Sequence, residues 1–279
     1  LSADATSDSR FETSKSLSDI RIHSLMCVPL IDSDGNSFGT IQIDTVSDRD
    51  RFRDEDLDVL LSVATQASIA IDNARLHEYT LRQRAIQRDL EVANQIQRGF
   101  LPKQPPQLPG YRFFDYCQPA SHVGGDFYDY IPLSDGRVAV IVADVVGHGL
   151  AAAMLTAKIA AEVRFHLLST PEPAEAVTKL NASLARDLVE GHFVTLLVAV
   201  LAPDTGEVTI VNAGHMRPIL CRGDGPANDI GDEQAGLPLG ILDGFEYQQC
   251  SVQLPPGGLL LVYTDGINEA MNEAQQLYG

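Results

Sequence analysis

The chain has 279 residues, enough for one large domain or two ordinary ones, and 44% apolar content with mixed charge is that of a globular protein. A formal net charge of −18 argues against a nucleic-acid surface, which needs a basic patch. No apolar run approaches the roughly 20 residues that span a bilayer, and Cys27, Cys117, Cys221 and Cys250 lie far apart with no C-x-x-C pair. The polar, acidic start "LSADATSDSRFETSK" is no signal peptide, so a reducing, cytoplasmic setting is expected.

Near the N-terminus, "HSLMCVPLI" and "FGTIQIDTV" alternate as strands do, and the Asp34-Gly35 between them signals a hairpin. The following "DEDLDVLLSVATQASIAIDNARLHEYTL" opens with acids suited to a helix N-terminus. It sets Leu57, Leu60, Leu61, Ala64, Ala67, Ser68 and Ile71 on one stripe. One hairpin and one helix do not bury a full core, so this looks like the end of a domain whose beginning is absent. The helical pattern continues, with Tyr79, Ile86, Ala93 and Phe100 recurring every seven residues. That spacing fits a short coiled coil pairing two copies into a homodimer, or a connecting helix packed on its own domains. The prolines of "LPKQPPQLPG" should stop the helix near residue 102.

Beyond it, strands are expected at "YRFFDYCQPA", "DFYDYIPL", "RVAVIVAD", "FVTLLVAVLAP", "EVTIVNAG", "RPILCR", "YQQCSVQL" and "GLLLVYTD". Two helices interrupt them, "LAAAMLTAKIAAEVRFHLL" and "PAEAVTKLNASLARDLVE". The first is apolar nearly all round and should lie pressed against a sheet. Strands mostly joined by tight turns, with helices inserted as a pair, indicate an α+β domain with antiparallel sheets.

The strand "VAVIVA" ends on Asp144, where a buried carboxylate costs several kcal/mol unless positive charge meets it. No Lys or Arg follows until Lys158, so either a distant basic residue folds back or a metal ion compensates. Asp126, after two glycines, and Asp265, after "GLLLVYT", share this setting at strand ends. Asp-Gly is also an ordinary turn signal, and Asp34 and Asp135 are assigned to hairpin turns. Asp265 is different: a helical-looking "INEAMNEA" follows it. Oxygen-only ligands suit Mg²⁺ or Mn²⁺, and two such ions can clamp a phosphate. His148 and His215 fit either a ligand role or a packing role.

These residues are familiar together. "PASHVGGDFYDY", "ADVVGHGLAAAMLTA", "NAGHMRP", "GLPLGI" and "LLLVYTDGINEA" resemble, in order, the SpoIIE/RsbU-like branch of the metal-dependent (PPM) serine/threonine protein phosphatases. The likeness spans about residues 85–279, and residues 1–75 resemble the C-terminal part of a GAF sensory domain. The resemblance implies a GAF part over 1–75, a connecting helix over 76–101 and a phosphatase domain over 102–279. That domain would be a β-sandwich flanked by helices (αββα). It also implies two Mn²⁺ or Mg²⁺ ions, with Asp144 bridging them, the Val145 carbonyl on one, Asp265 on the other, and Asp126 binding directly or through water.

The implied reaction is in-line attack of water on a phosphoserine or phosphothreonine, without a phosphoenzyme. The implied partners are a phosphorylated regulatory protein of the anti-sigma-factor-antagonist (STAS) kind and an unknown small ligand or partner at the GAF part. The family carries a further metal-binding Asp in an Asp-Asp or Asp-Asn motif. The sequence stops at Gly279 before one could occur, so a fragment is expected. The alternative to an enzyme is a GAF-linked platform that binds a partner without turnover.

Overall fold

The computed structural model describes Ser2 and residues 22–47, 49, 51–119, 123–147, 149–188, 191–223 and 225–278. The chain divides into two compact units, Leu1–Gln87 and Arg88–Gly279.

In the first unit, β1 (Ser24–Ile31) and β2 (Ser37–Thr45) form the expected antiparallel hairpin. Its turn is an Asx type: Asp32 Oδ1 accepts the Asp34 and Asn36 amides at 3.1 and 2.7 Å. Gly35 takes φ 85°, a value that favours glycine. Met26, Val28 and Leu30 alternate on the inner face and pack on Leu60 and Ala64 of α1 (Asp54–Arg98). Ser68 Oγ accepts the Ile31 amide at 3.0 Å, which ties the hairpin's end to the helix. The stripe is narrower than expected. Leu61 and Ile71 are exposed, while Leu60, Ala64 and Ser68 are buried and Leu57 and Ala67 pack partly on the same core.

Helix α1 ends at Arg98, earlier than the prolines require. It tightens into i→i−3 turns, with the Gly99 amide on the Ile96 carbonyl at 2.9 Å and the Phe100 amide on the Gln97 carbonyl at 3.0 Å, so Phe100 lies past the helix and not on its stripe. Among the described residues no helix is long and apolar enough to cross a membrane. The four cysteines are free thiols.

The second unit is built on a five-stranded antiparallel sheet in the order β3-β4-β5-β6-β9. These strands are Phe127–Pro132, Val138–Val145, Val194–Ala202, Glu207–Ala213 and Cys250–Gln253. Strand β5 is apolar on both sides. Val194, Leu196, Val198 and Val200 face one core, and Leu197, Ala199 and Leu201 face the other. The first core lies under α2 (Leu150–Ser169) and α3 (Pro173–Asp187), with Ile159, Val163, Leu180 and Leu184 fully or nearly fully buried. The second core meets a smaller sheet, β10-β7-β8, through Leu260. That sheet comprises β7 (Ile219–Cys221), β8 (Ala227–Asp229) and β10 (Leu259–Leu261). The unit is α+β, with a helical layer on two stacked sheets.

Several local expectations change. "YRFFDYC" runs in an extended, in-and-out fashion without ladder bonds: Tyr111 and Phe113 turn inward while Phe114 and Tyr116 are exposed. Helix α2 presses one face on the sheet but leaves Met154, Phe165 and Leu168 exposed, since a helix meets a sheet along one stripe only. Strand β10 is a three-residue edge strand with Leu259 and Leu261 exposed, so Asp265 does not end a buried run. "INEAMNEA" forms turns, with the Glu269 amide on the Asp265 carbonyl at 2.8 Å.

Candidate metal centre

Strand β4 runs from the core to Asp144 and Val145, then the chain leaves for α2. Because side chains alternate, Ala139, Ile141, Ala143 and Val145 sit under the helices, and Asp144 falls on the face toward the second sheet. Asp126, just before β3, comes alongside it, with the two carboxyl groups within electrostatic reach of each other. Burial raises the proton affinity of both. For Asp144 the negative charges of Asp126, Asp265 and Glu269 add to this, and its pKa is pushed up to about 7. Thr264 Oγ1 donates to Asp126 Oδ2 at 3.0 Å and partly offsets the shift there.

The loop that carries Asp126 is packed tightly. A Cβ on Gly125 would stand 2.4 Å from the Val145 carbonyl oxygen and 3.0 Å from Asp144 Oδ1. Only glycine lets the loop approach so closely. The Gly125 carbonyl accepts from the Val145 amide at 3.3 Å and from the buried Thr156 hydroxyl of α2 at 3.2 Å.

Asp265 is exposed and sits within electrostatic reach of both other acids. The three do not close on a single point: among the described residues no three His, Cys, Asp or Glu side chains gather round one position. No ion pair among the described residues reaches Asp126 or Asp144, so no described Lys or Arg answers for Asp144. Crowded carboxylates with raised proton affinity, beside the Val145 backbone carbonyl, have the donor chemistry that suits a hard divalent cation. Asp126, Asp144 and the Val145 carbonyl bring that chemistry together, and Asp265 stands apart from them.

His215 belongs to the frame. Its Nδ1 lies 2.7 Å from Thr195 Oγ1, and Thr195 pairs with Asp144 across β4 and β5. Asn212 clasps the His215 backbone at both ends, at 2.8 and 3.1 Å. Burial pushes the imidazole down to about 4, so the ring is neutral at ordinary pH. The "GLPLGI" stretch is also scaffold. Leu239 exchanges two backbone bonds with Val194, and Asn181 of α3 accepts the Gly240 amide at 2.9 Å. His148 lies outside the described residues. Sequence reasoning assigned no role to Gln97, Thr156 or Thr264, although Thr156 and Thr264 stand within the quoted "ADVVGHGLAAAMLTA" and "LLLVYTDGINEA"; each acts through a hydrogen bond to a residue remote in sequence, which the motif does not show.

The second unit, a helical layer on two stacked sheets with Asp126 and Asp144 at the end of the β3–β4 pair, has the fold of PP2C-type (PPM) domains. The SiaA-PP2C domain of Pseudomonas aeruginosa shares this fold, with a TM-score of 0.61 at 22% identity over 71% of this chain and 79% of that one. Residues 134–279 match the family described as Stage II sporulation protein E (SpoIIE), and the chain belongs to that family. Residues 2–71 match the GAF domain.

Among curated relatives, phosphoserine phosphatase RsbU of Bacillus subtilis (strain 168) is 26% identical over 78% of this chain and 65% of its own length. Phosphoserine phosphatase RsbP of the same organism is 27% identical over 64% of this chain and 45% of its own. The chain thus spans less than two thirds of either relative.

Proposed function

We propose that this chain is the catalytic part of a metal-dependent phosphatase that hydrolyses phosphoserine or phosphothreonine on a regulatory protein. The observation that carries the reading is the Asp126–Asp144 pair: two part-buried carboxyl groups beside the Val145 carbonyl, without an ion-pair partner among the described residues. The names of the RsbU and RsbP relatives support the substrate class.

Asp144, Asp126, Asp265 and the Val145 carbonyl would hold two Mn²⁺ or Mg²⁺ ions, with Asp144 shared. When bound, the ions supply positive charge for the phosphate oxygens and acidify water at the site. The chain's own part is to hold the acids in place. Gly125 keeps Asp126 against Val145, Thr264 orients Asp126, and the Thr195–His215 pair braces the strand beside Asp144. The partner we assign is a small regulator of the anti-sigma-factor-antagonist kind, and the division into 1–75, 76–101 and 102–279 is our reading of the domains, with the GAF part as the sensor. The exposed Tyr79 and Ile86 of α1 suit a second copy, so we assign a homodimer.

The test is Mn²⁺-dependent phosphate release from a phosphoserine protein by the wild-type chain and by Asp144→Asn. Activity in the first and its loss in the second are expected. Metal-independent turnover that survives the substitution would overturn the assignment. A partner-binding platform without turnover is favoured by one feature, the exposed Asp265 standing apart from the other two acids. It predicts partner binding with no phosphate release at any Mn²⁺ concentration.

A further inference from the structure

The last turn of α1 touches the candidate centre directly. Gln95, Ile96 and Arg98 are exposed, whereas Gln97 is buried at 9% exposure. Its side-chain amide is spent on a single residue of the acid loop. Nε2 donates to the Gly124 carbonyl at 2.6 Å, and Oε1 accepts the Gly124 amide at 3.2 Å. An amide that satisfies both backbone groups of one residue fixes its position and its orientation, as a neighbouring strand would. Gly124 is two residues from Asp126.

The loop's other attachments differ in kind. On the far side, Gly125 is wedged against the Val145 carbonyl with no room to move inward. On the helix side there is a hollow of about 20 Å³, room for one water, among Asn94, Arg98, Leu101, Cys117 and Asp126. The two amide hydrogen bonds cross this joint beside the hollow and tie Gly124 to the helix. A shift of the helix's last turn is passed to Gly124 through them.

We propose that Gln97 is a positioning residue through which the last turn of α1 sets the place of Asp126 relative to Asp144, so that this turn and metal binding are energetically linked. The proposal rests on the metal reading given above. Linkage is reciprocal: an ion that pulls Asp126 into place also steadies the turn, and disturbing the turn weakens the ion. Gln97 touches neither ion nor substrate, so its effect falls on metal affinity. Excess metal should restore the rate.

Mn²⁺ is titrated calorimetrically into the wild-type chain, Gln97→Ala, Gln97→Leu and Gln95→Ala. Gln97→Leu nearly keeps the volume and removes both hydrogen bonds. Gln95→Ala, on the exposed side of the same turn, should match the wild type. Loss of two hydrogen bonds should weaken Mn²⁺ binding about tenfold in both Gln97 variants. Phosphatase rates should be low at limiting Mn²⁺ and recover in excess.

Hydrogen exchange on the wild type reads the same coupling without any substitution. Saturating Mn²⁺ should slow the amides of Gly99, Phe100 and Gly124. Folded Gln97 variants with wild-type Mn²⁺ affinity, or no change in exchange at those amides, would overturn the proposal and leave the metal reading standing. A wild-type chain that binds no Mn²⁺ would remove both.

Discussion

Gly125→Ala is the sharpest single perturbation of the centre. The added methyl would lie 2.4 Å from the Val145 carbonyl oxygen, 3.0 Å from Asp144 Oδ1 and 3.2 Å from the Val145 nitrogen. Ordinary contact needs about 3.4 Å or more, so the loop must retreat by roughly 1 Å, or β4 must deform. The closest neighbour, the Val145 carbonyl oxygen, is backbone and cannot swing aside. Retreat also stretches the Val145 amide bond to Gly125, already 3.3 Å, and the Thr156 bond at 3.2 Å.

Overpacking at about 1–3 kcal/mol, with about 1 kcal/mol for weakened hydrogen bonds, gives a destabilisation of roughly 2–4 kcal/mol. For a unit of this size that is a fall in Tm of roughly 5–15 °C. A 1 Å displacement of one acid from the other should also lower the phosphatase rate about a hundredfold. Thermal melts and Mn²⁺-dependent phosphate release measure the two effects. A Gly125→Ala protein with wild-type Tm and metal dependence would refute the packing argument and the placement of Asp126 beside Val145.

Asp144→Asn should abolish most phosphate release while leaving the metal-free melting temperature unchanged or higher, since it removes a crowded charge; Asp34→Asn, in the hairpin turn, should change neither. Asp32→Ala, which removes both Asx bonds, should lower stability by about 1 kcal/mol in urea unfolding. The His215 pKa is depressed in the folded state, so the unfolded chain binds more protons below its ordinary value near 6.5, and stability should fall as pH drops from about 6.5 to about 4. The loss is of order 2–3 kcal/mol, and urea titrations at several pH values should show a flatter profile for His215→Asn. Sedimentation of the chain with its whole GAF part should give a dimer, and a monomer at high concentration would count against the α1 stripe as a pairing surface.

Period and punctuation made most elements readable. The hairpin at Asp34-Gly35, both helices of the second unit and strands β3 to β6 stand where alternation and glycine place them. Strand ends and partners were less legible, because they depend on what lies across the sheet. "GLLLVYT" has the composition of a buried strand, yet β10 is a short edge with two exposed leucines, since nothing pairs beyond it in the order β10-β7-β8.

The acids stood out because Asp144 ends an apolar run, and the structure does bring Asp126 to it. Gln97 was invisible for the opposite reason. In "ANQIQRGF" it reads as one polar helix residue among several, and only the arrival of Gly124 from 27 positions away gives it a role.

The helices α2 and α3 leave the sheet at the end of β4 and return at the start of β5, with the Val146 amide bonded to the Phe193 carbonyl at the mouth of the excursion. Closing a loop of roughly fifty residues costs on the order of 3 kcal/mol in chain entropy before the β4–β5 pairing repays it. Asp144 and Thr195 face each other only after that closure. Asp126 and Asp144 meet across the local β3–β4 hairpin, but Thr264 and Asp265 join them only through long-range closure, so the full set of acids assembles at a late step of folding. An ion that binds them stabilises the finished unit and hardly touches the transition state, so Mn²⁺ should slow unfolding and leave the refolding rate almost unchanged.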